Sequence, residues 1–177
     1  MKIIKRLFGG LLLIMMTLLM IAYILPQNVS VERSIVINAT PDKVFPLVNN
    51  QRNSEQWSPW LSRDPNVQLI YSGPDAGVGS KMQWVSDNPN VGNGTAEIIE
   101  SVENQSIKTK LDFGRQGIAD AWFSFVLEGG ATKVSWGFTT DTGMNPISRW
   151  MGLMMDKWVG DDYQQGLSNL KVLVEGS

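Results

Sequence analysis

Histidine and cysteine are both absent from this sequence. Without cysteine there are no disulfides, no thiol nucleophiles and no cysteine-ligated metal sites. Without histidine the chain lacks the side chain used most often as a general base and as a metal ligand. Any acid–base chemistry must therefore come from Asp, Glu, Lys or Tyr, and we expect no metal and no other cofactor.

The chain also lacks an excess of positive charge. It carries 15 Lys and Arg against 17 Asp and Glu. Lys2, Lys5 and Arg6 stand at the N-terminus, and removing these three from 15 leaves 12 basic groups, so the rest of the chain has a net charge of about −5. A nucleic-acid-binding domain would show a basic patch. We therefore expect no nucleic-acid partner.

The longest apolar run is residues 7–25, a stretch of 19 residues without a charged side chain. A helix that crosses the ~30 Å hydrocarbon core of a bilayer needs ~20 such residues. Basic residues stay on the cytoplasmic side, so Lys2, Lys5 and Arg6 predict a cytoplasmic N-terminus. Residues 1–25 are thus predicted to be a single-pass membrane anchor. Residues 26–177 are predicted to be a domain outside the cytoplasm, periplasmic in a Gram-negative bacterium.

A cleaved secretory signal is the alternative interpretation of residues 7–25. Signal peptides have a shorter apolar stretch of about 7–15 residues and a small-x-small cleavage site. The run here is longer, and its end, IAYILP, offers no such site. We favour the uncleaved anchor, although both interpretations place the following domain outside the cytoplasm.

Beyond the apolar run, 152 residues remain, which suits one domain with a sizeable core. A first strand is predicted at 27–38. Thr40 and Pro41 then suit the N-cap and first position of a helix, and Pro46 predicts that this helix is short or distorted. A second helical turn is predicted near 53–57.

Further strands are predicted at 67–71, 81–85, 94–102, 107–113 and 119–127, separated by turn-forming residues. The pair Gly129-Gly130 predicts a tight hairpin that leads into a last strand, in which Val134, Trp136 and Phe138 alternate with other residues. Because the connections are short, neighbouring strands should be antiparallel.

One long helix is predicted at 146–174, with Asn145 as its N-cap. It carries two offset apolar stripes. The first stripe is Ile147, Trp150, Met151, Met154 and Trp158, and the second is Met155, Val159, Tyr163, Leu170 and Leu173. Such a wide apolar arc is expected of a helix held against a concave sheet. The element order predicts an α+β fold: a curved antiparallel sheet around a long C-terminal helix, with space between them.

Three stretches resemble the START-like, or SRPBCC, superfamily in its polyketide cyclase/dehydrase branch. They are VERSIVINATPDKVF at 31–45, WSPW at 57–60 followed by Asp64-Pro65, and YQQGLSNLK at 163–171. The resemblance covers nearly all of residues 31–175 and implies a helix-grip fold, preceded here by a transmembrane helix. It also implies a cavity that holds an apolar or amphipathic small molecule. Fold-level analogy does not choose among carriers, cyclases and other members.

Ten large apolar side chains are the candidate ligand-binding residues. Indole and phenyl rings offer large apolar surfaces, and methionine adapts to irregular shapes, although both also serve in ordinary cores. The candidates are Trp57, Trp60, Trp84, Phe123, Phe125, Trp136, Trp150, Met151, Met154 and Trp158. Their predicted partner is a hydrophobic small molecule or lipid.

No catalytic residue can be assigned from the sequence. Strand alternation places Asp112 and Asp120 on the outer face, opposite Phe113 and Phe123, while the direction of Glu97 is less regular. A cyclase- or dehydratase-like enzyme that uses a cavity carboxylate or tyrosine is one alternative function. A non-catalytic scaffold with a filled core is another.

Overall fold

The structure, a computed structural model, describes residues 2–176. It begins with helix α1 (Lys2–Ile24), which contains the three N-terminal basic residues and nearly all of the apolar run at 7–25. By length and composition Ile3–Ile24 could cross a membrane or serve as a signal sequence, and it is the one such helix in the described part of the chain. Its side chains are almost all exposed.

Seven antiparallel strands form a single sheet in the order β1-β7-β6-β5-β4-β3-β2. Their bounds are β1 (Asn28–Ile37), β2 (Gln68–Ser72), β3 (Lys81–Val85), β4 (Gly94–Val102), β5 (Ser106–Asp112), β6 (Ile118–Glu128) and β7 (Ala131–Asp141). Each predicted strand is found within a residue or two of its expected position. The predicted α+β helix-grip architecture is confirmed.

The first helix after β1 is α2 (Pro41–Asn49), with Pro46 inside it. A short 3-10 helix at Gln51–Gln56 follows, close to the predicted turn. The expected capping by Thr40 is wrong in one respect, because its side chain makes no capping hydrogen bond. The N–H of Lys43 donates instead to the Thr40 carbonyl oxygen at 3.0 Å, so the backbone closes this helix start by itself.

The predicted single helix at 146–174 is two helices, α3 (Pro146–Gly152) and α4 (Met155–Glu175). The Met154 N–H donates to the Met151 carbonyl at 2.9 Å, a tight turn that ends α3. Gly152 is buried against β1, where a Cβ would lie 2.8 Å from Val29 Cγ2. This close approach holds α3 at the start of β1, and α4 must change direction to reach the sheet.

Helix α4 lies along β1 on the concave side of the sheet. Asp156 pairs with Arg33 at 2.8 Å, Lys171 donates to the Val36 carbonyl at 2.7 Å, and the Asn38 N–H donates to Glu175 at 2.7 Å. These contacts give the sheet two distinguishable ends. The anchor end is where β1 begins, with Asn28 opposite Asp141, and the hairpin end is where the Gly129-Gly130 turn joins β6 to β7.

Candidate apolar binding site

A cavity of about 360 Å³ lies between the concave face of the sheet and α4. Strands β3 to β7, the start of α4 and the segment 57–61 all contribute to its walls. The apolar walls include Met82, Ala96, Leu111, Ala121 and Phe138. Such walls follow from strand alternation, because every second residue of each strand points to the concave face.

One wall is a cluster of stacked aromatic rings. The rings of Trp136 and Tyr163 are parallel, with centroids 3.9 Å apart, and Phe123 stacks on the other side with its centroid 4.9 Å from Trp136. Trp57 and Trp60 meet Trp136 edge to face at 5.3 and 5.5 Å. The Trp57 indole N–H also donates to the Leu47 carbonyl at 3.2 Å. This wall is therefore rigid in shape.

Helix α4 comes close to that wall because Gly166 lies against the Trp136 ring. A Cβ at Gly166 would stand 2.7 Å from the ring carbon Cζ3. A similar close approach places Trp84 over Gly94, where a Cβ would stand 2.4 Å from the indole. Two glycines thus make room for two of the aromatic walls.

Five of the ten predicted ligand-binding residues line the cavity: Trp57, Trp60, Trp84, Phe123 and Trp136. Phe125 lies elsewhere in the core, with its ring 5.5 Å from that of Phe45. The other four, Trp150, Met151, Met154 and Trp158, do not line the cavity and are exposed. A ligand role for the five lining residues stays a prediction.

The two apolar stripes of the C-terminal segment go to different surroundings. Met155, Val159 and Tyr163 of the second stripe line the cavity, whereas Met154 and Trp158 of the first stripe face outward. Neighbouring helix positions point ~100° apart, so adjacent residues fall on different faces. Periodicity identifies both stripes as apolar, but it does not tell which one faces the sheet.

Several cavity residues that the candidate set did not include bring polar atoms to the walls: Gln51, Ser54, Ser58, Thr109, Gln116, Thr140 and Tyr163. Tyr163 is only 3% exposed and lines the cavity. Burial raises the pKa of Tyr163, so the phenol remains neutral and can donate a hydrogen bond. The buried Gln51 side chain also lines the cavity. The sequence signal that could have identified Gln51 is its position as a polar residue just after the short helix α2.

None of the three acidic candidates lines the cavity. Glu97 pairs with Lys81 at 3.3 Å, and Asp112 is exposed and accepts a hydrogen bond from the Gly114 N–H at 2.7 Å. Asp120 is exposed. Among the described residues that line the cavity there is no Asp, Glu, Lys or Arg, and Tyr163 is the one titratable group.

The cavity opens toward the anchor end of the sheet. Its exposed lining residues are Gln116, Gly117 and Ile118, in the β5–β6 connection. Ile118 is opposite Asp112, and the next lining residue, Ala119, is opposite Thr140 at the end of β7. At the hairpin end, Ile37, Val134 and other fully buried side chains fill the same layer.

Near the anchor end, Arg149 of α3 is buried against the last turn of α1. Its guanidinium donates to the carbonyls of Tyr23 at 2.9 Å and of Ala22 and Leu25 at 3.4 Å, and its Nε donates to Gly143 at 2.9 Å. The last carbonyls of a helix have no intrahelical partner and carry partial negative charge. A cation is therefore favoured at this position.

Solved structures of the same fold resemble this chain at low sequence identity. A protein of unknown function from Staphylococcus aureus, SA2116, matches with a TM-score of 0.63 and 10% identity over 84% of this chain and 94% of its own. Ara h 8.0201 matches with a TM-score of 0.59 and 12% identity, over 85% and 99%. The di-domain ARO/CYC protein StfQ of the steffimycin pathway matches with a TM-score of 0.62 and 10% identity, over 85% and 51%.

No curated protein matches the chain in sequence. The family described as polyketide cyclase / dehydrase and lipid transport matches residues 28–175, from the first residue of β1 to the last residue of α4. The match thus spans the whole sheet, the cavity and α4 but not α1. The chain belongs to the polyketide cyclase / dehydrase and lipid transport family.

Proposed function

We propose that this chain is a membrane-tethered protein that binds one hydrophobic small molecule or lipid between the sheet and α4. The observation that carries the proposal is the cavity of about 360 Å³, whose described lining is mostly aromatic and aliphatic, with a minority of uncharged polar side chains and no charged one. Small-molecule pockets measure ~300–1,000 Å³ and combine apolar walls with a few polar groups. A volume at the lower end of this range suits a compact molecule or a single acyl chain.

The lining also favours a neutral ligand. A charge without a partner in an apolar site meets a desolvation cost of several kcal/mol. Tyr163, Gln51 and the serine and threonine hydroxyls of the lining supply hydrogen-bonding groups for polar atoms of the ligand. An apolar molecule with a few uncharged polar groups, such as hydroxyl, carbonyl or protonated acid groups, therefore fits best.

Retention of α1 as the tether is supported by Arg149. Cleavage after the apolar run would remove the Ala22, Tyr23 and Leu25 carbonyls that this buried guanidinium bonds. Hydrogen bonds to charged groups contribute ~1.5–3 kcal/mol to stability, and cleavage would lose this contribution. The basic residues in the first turns of α1 favour a cytoplasmic N-terminus, which would hold the sheet and its cavity outside the cytoplasm.

Binding is favoured over catalysis by the chemistry of the lining. The cyclase- or dehydratase-like alternative is left with Tyr163 as its titratable group, and burial raises the pKa of this phenol. A general base works best with a pKa near the operating pH. Tyr163 can therefore donate a hydrogen bond but is a poor base. The non-catalytic scaffold alternative requires a filled core, and the cavity of about 360 Å³ disfavours it.

The test uses the full chain in lipid nanodiscs and a fluorescent apolar probe that accepts energy from tryptophan. Ala121, on the cavity side of β6, is changed to Phe to fill the cavity, and the exposed Val126 of the same strand is changed to Phe as the matched control. We expect saturable binding of one probe by the wild type and by Val126→Phe, and none by Ala121→Phe. Equal signals from all three, which report partition into lipid, would contradict the proposal.

A further inference from the structure

The stretch between Asp141 and Asp156 exposes an unusual apolar surface. Seven large apolar side chains there and just beyond are between 36% and 69% exposed. We call them the junction patch: Met144, Ile147, Trp150, Met151, Leu153, Met154 and Trp158. The one charged residue between Asp141 and Asp156 is Arg149, and it is buried. An apolar surface of this kind marks a site of contact with another surface.

We infer that the junction patch lies in the surface of the same bilayer that holds α1, and that the cavity therefore opens toward the membrane. This inference rests on the tether in the proposed function. Lipid, and not a second copy of the chain, is the surface that covers the junction patch.

Contacts between α3 and α1 carry the inference. The Trp150 indole N–H donates to the Leu18 carbonyl of α1 at 3.3 Å. Leu18 is seven residues before Leu25, so it lies about 10 Å farther along the helix axis. If α1 spans the hydrocarbon core, Trp150 is below the membrane surface. Helices that lie in a membrane surface bury their apolar face by ~5–10 Å, which is the same depth.

The guanidinium of Arg149 fixes α3 to the end of α1, because the two helices cannot separate without losing its hydrogen bonds to the last carbonyls of α1. The apolar surface of α1 is thereby continuous with that of the junction patch. Tyr23 and Trp150 are exposed where α1 meets α3, and Trp158 is exposed near the start of α4. Tyrosine and tryptophan are the residues enriched at membrane interfaces.

The position of the cavity connects this surface with ligand binding. Met155 and Val159 line the cavity, while Met154 and Trp158, one residue before each of them, belong to the patch. The mouth residues Gln116, Gly117 and Ile118 lie at the anchor end of the sheet, where α1 also leads into β1. An apolar molecule that leaves the bilayer at this end would not need to cross water.

The absence of cysteine allows a direct test with the full chain in phosphatidylcholine nanodiscs. Single cysteines at Met151 and Met154 are labelled with an environment-sensitive fluorophore. Labels at Val126 and Val172, which are 50% and 73% exposed away from the patch, are the matched controls. A label at Ile14, in the middle of α1, reports the tether. Nitroxide-bearing lipids then quench any label that contacts the bilayer.

We expect strong quenching at Ile14, Met151 and Met154 and almost none at Val126 and Val172. Quenching at Ile14 without quenching at the patch would overturn the inference and leave the tether intact. Loss of quenching at all three would overturn both. Energy transfer between labelled copies at Met151, without lipid quenching, would assign the patch to a second copy and also overturn the inference. The probe-binding comparison of the wild type with Ala121→Phe tests ligand binding independently. If that comparison contradicts the proposed ligand site, the quenching results still show whether the junction patch contacts lipid.

Discussion

The two ends of the sheet are built from the same strands but are packed differently. At the hairpin end, Ile37, Val134 and Leu170 are fully buried in a continuous core. At the anchor end, Trp84, Ile118 and Met155 surround open space. The hairpin end therefore stabilises the fold, and the anchor end is free to hold a ligand. The difference also separates residues whose loss should unfold the protein from residues whose loss should alter binding.

Truncation of the core at the hairpin end should have the largest effect. Leu170→Ala removes a fully buried side chain and should lower the free energy of unfolding by about 2–5 kcal/mol. Met155→Ala, on the same helix but beside the cavity, should lower it by less, because Met155 is only partly buried and the change enlarges an existing cavity without creating a new one. Urea titrations in detergent would measure both. Equal losses would mean that the two ends are packed alike.

The contact between α1 and α3 should be the next largest contribution. Arg149→Met deletes the donors to the Ala22, Tyr23 and Leu25 carbonyls and should destabilise the protein by about 2–3 kcal/mol, since bonds to charged groups are worth ~1.5–3 kcal/mol. Arg115→Met, at an exposed position near the cavity mouth, is the control. Protease cleavage near Pro26 should become faster in Arg149→Met alone. Unchanged cleavage would show that Arg149 does not hold α1.

A smaller effect is expected from Tyr163 at high pH. An unperturbed tyrosine loses its proton near pH 10, whereas burial raises the pKa of Tyr163 in the folded protein. The folded state therefore holds a proton that the unfolded state releases, and stability falls as the pH rises above about 10. Tyr163→Phe should lessen this fall by about 1 kcal/mol at pH 11. Unfolding midpoints of the wild type and of Tyr163→Phe at pH 8 and pH 11 would measure this difference. The same change of midpoint with pH in both proteins would show that Tyr163 is not buried as described.

Alternation and turn residues were sufficient to predict the sheet. The pair Gly129-Gly130 and the spacing of Val134, Trp136 and Phe138 define β7 because a half-buried strand repeats every two residues. The same reasoning placed Asp112 and Asp120 on the outer face, where the structure has them exposed. Strand positions and the face on which each strand residue lies depend on the local sequence pattern, so they can be predicted from a single sequence.

The C-terminal segment could not be predicted to the same depth. Trp150, Met151, Met154 and Trp158 repeat at helical spacing, but an apolar stripe has the same period whether it faces a core or the outside. The break after Gly152 depends on its approach to Val29, a contact between distant parts of the chain. Arg149 carried a local signal, as the single charge in an apolar stretch, but its partners on α1 are 124 to 127 residues away in sequence.

Native mass spectrometry of the full chain, released from nanodiscs made with membrane lipid extract, tests the binding claim most directly. We expect the wild type and Val126→Phe to carry one apolar molecule per chain, and Ala121→Phe, with its cavity filled, to carry none. The same bound mass in all three proteins, or a bare wild-type chain under conditions that preserve its fold, would contradict the claim that the cavity is the binding site.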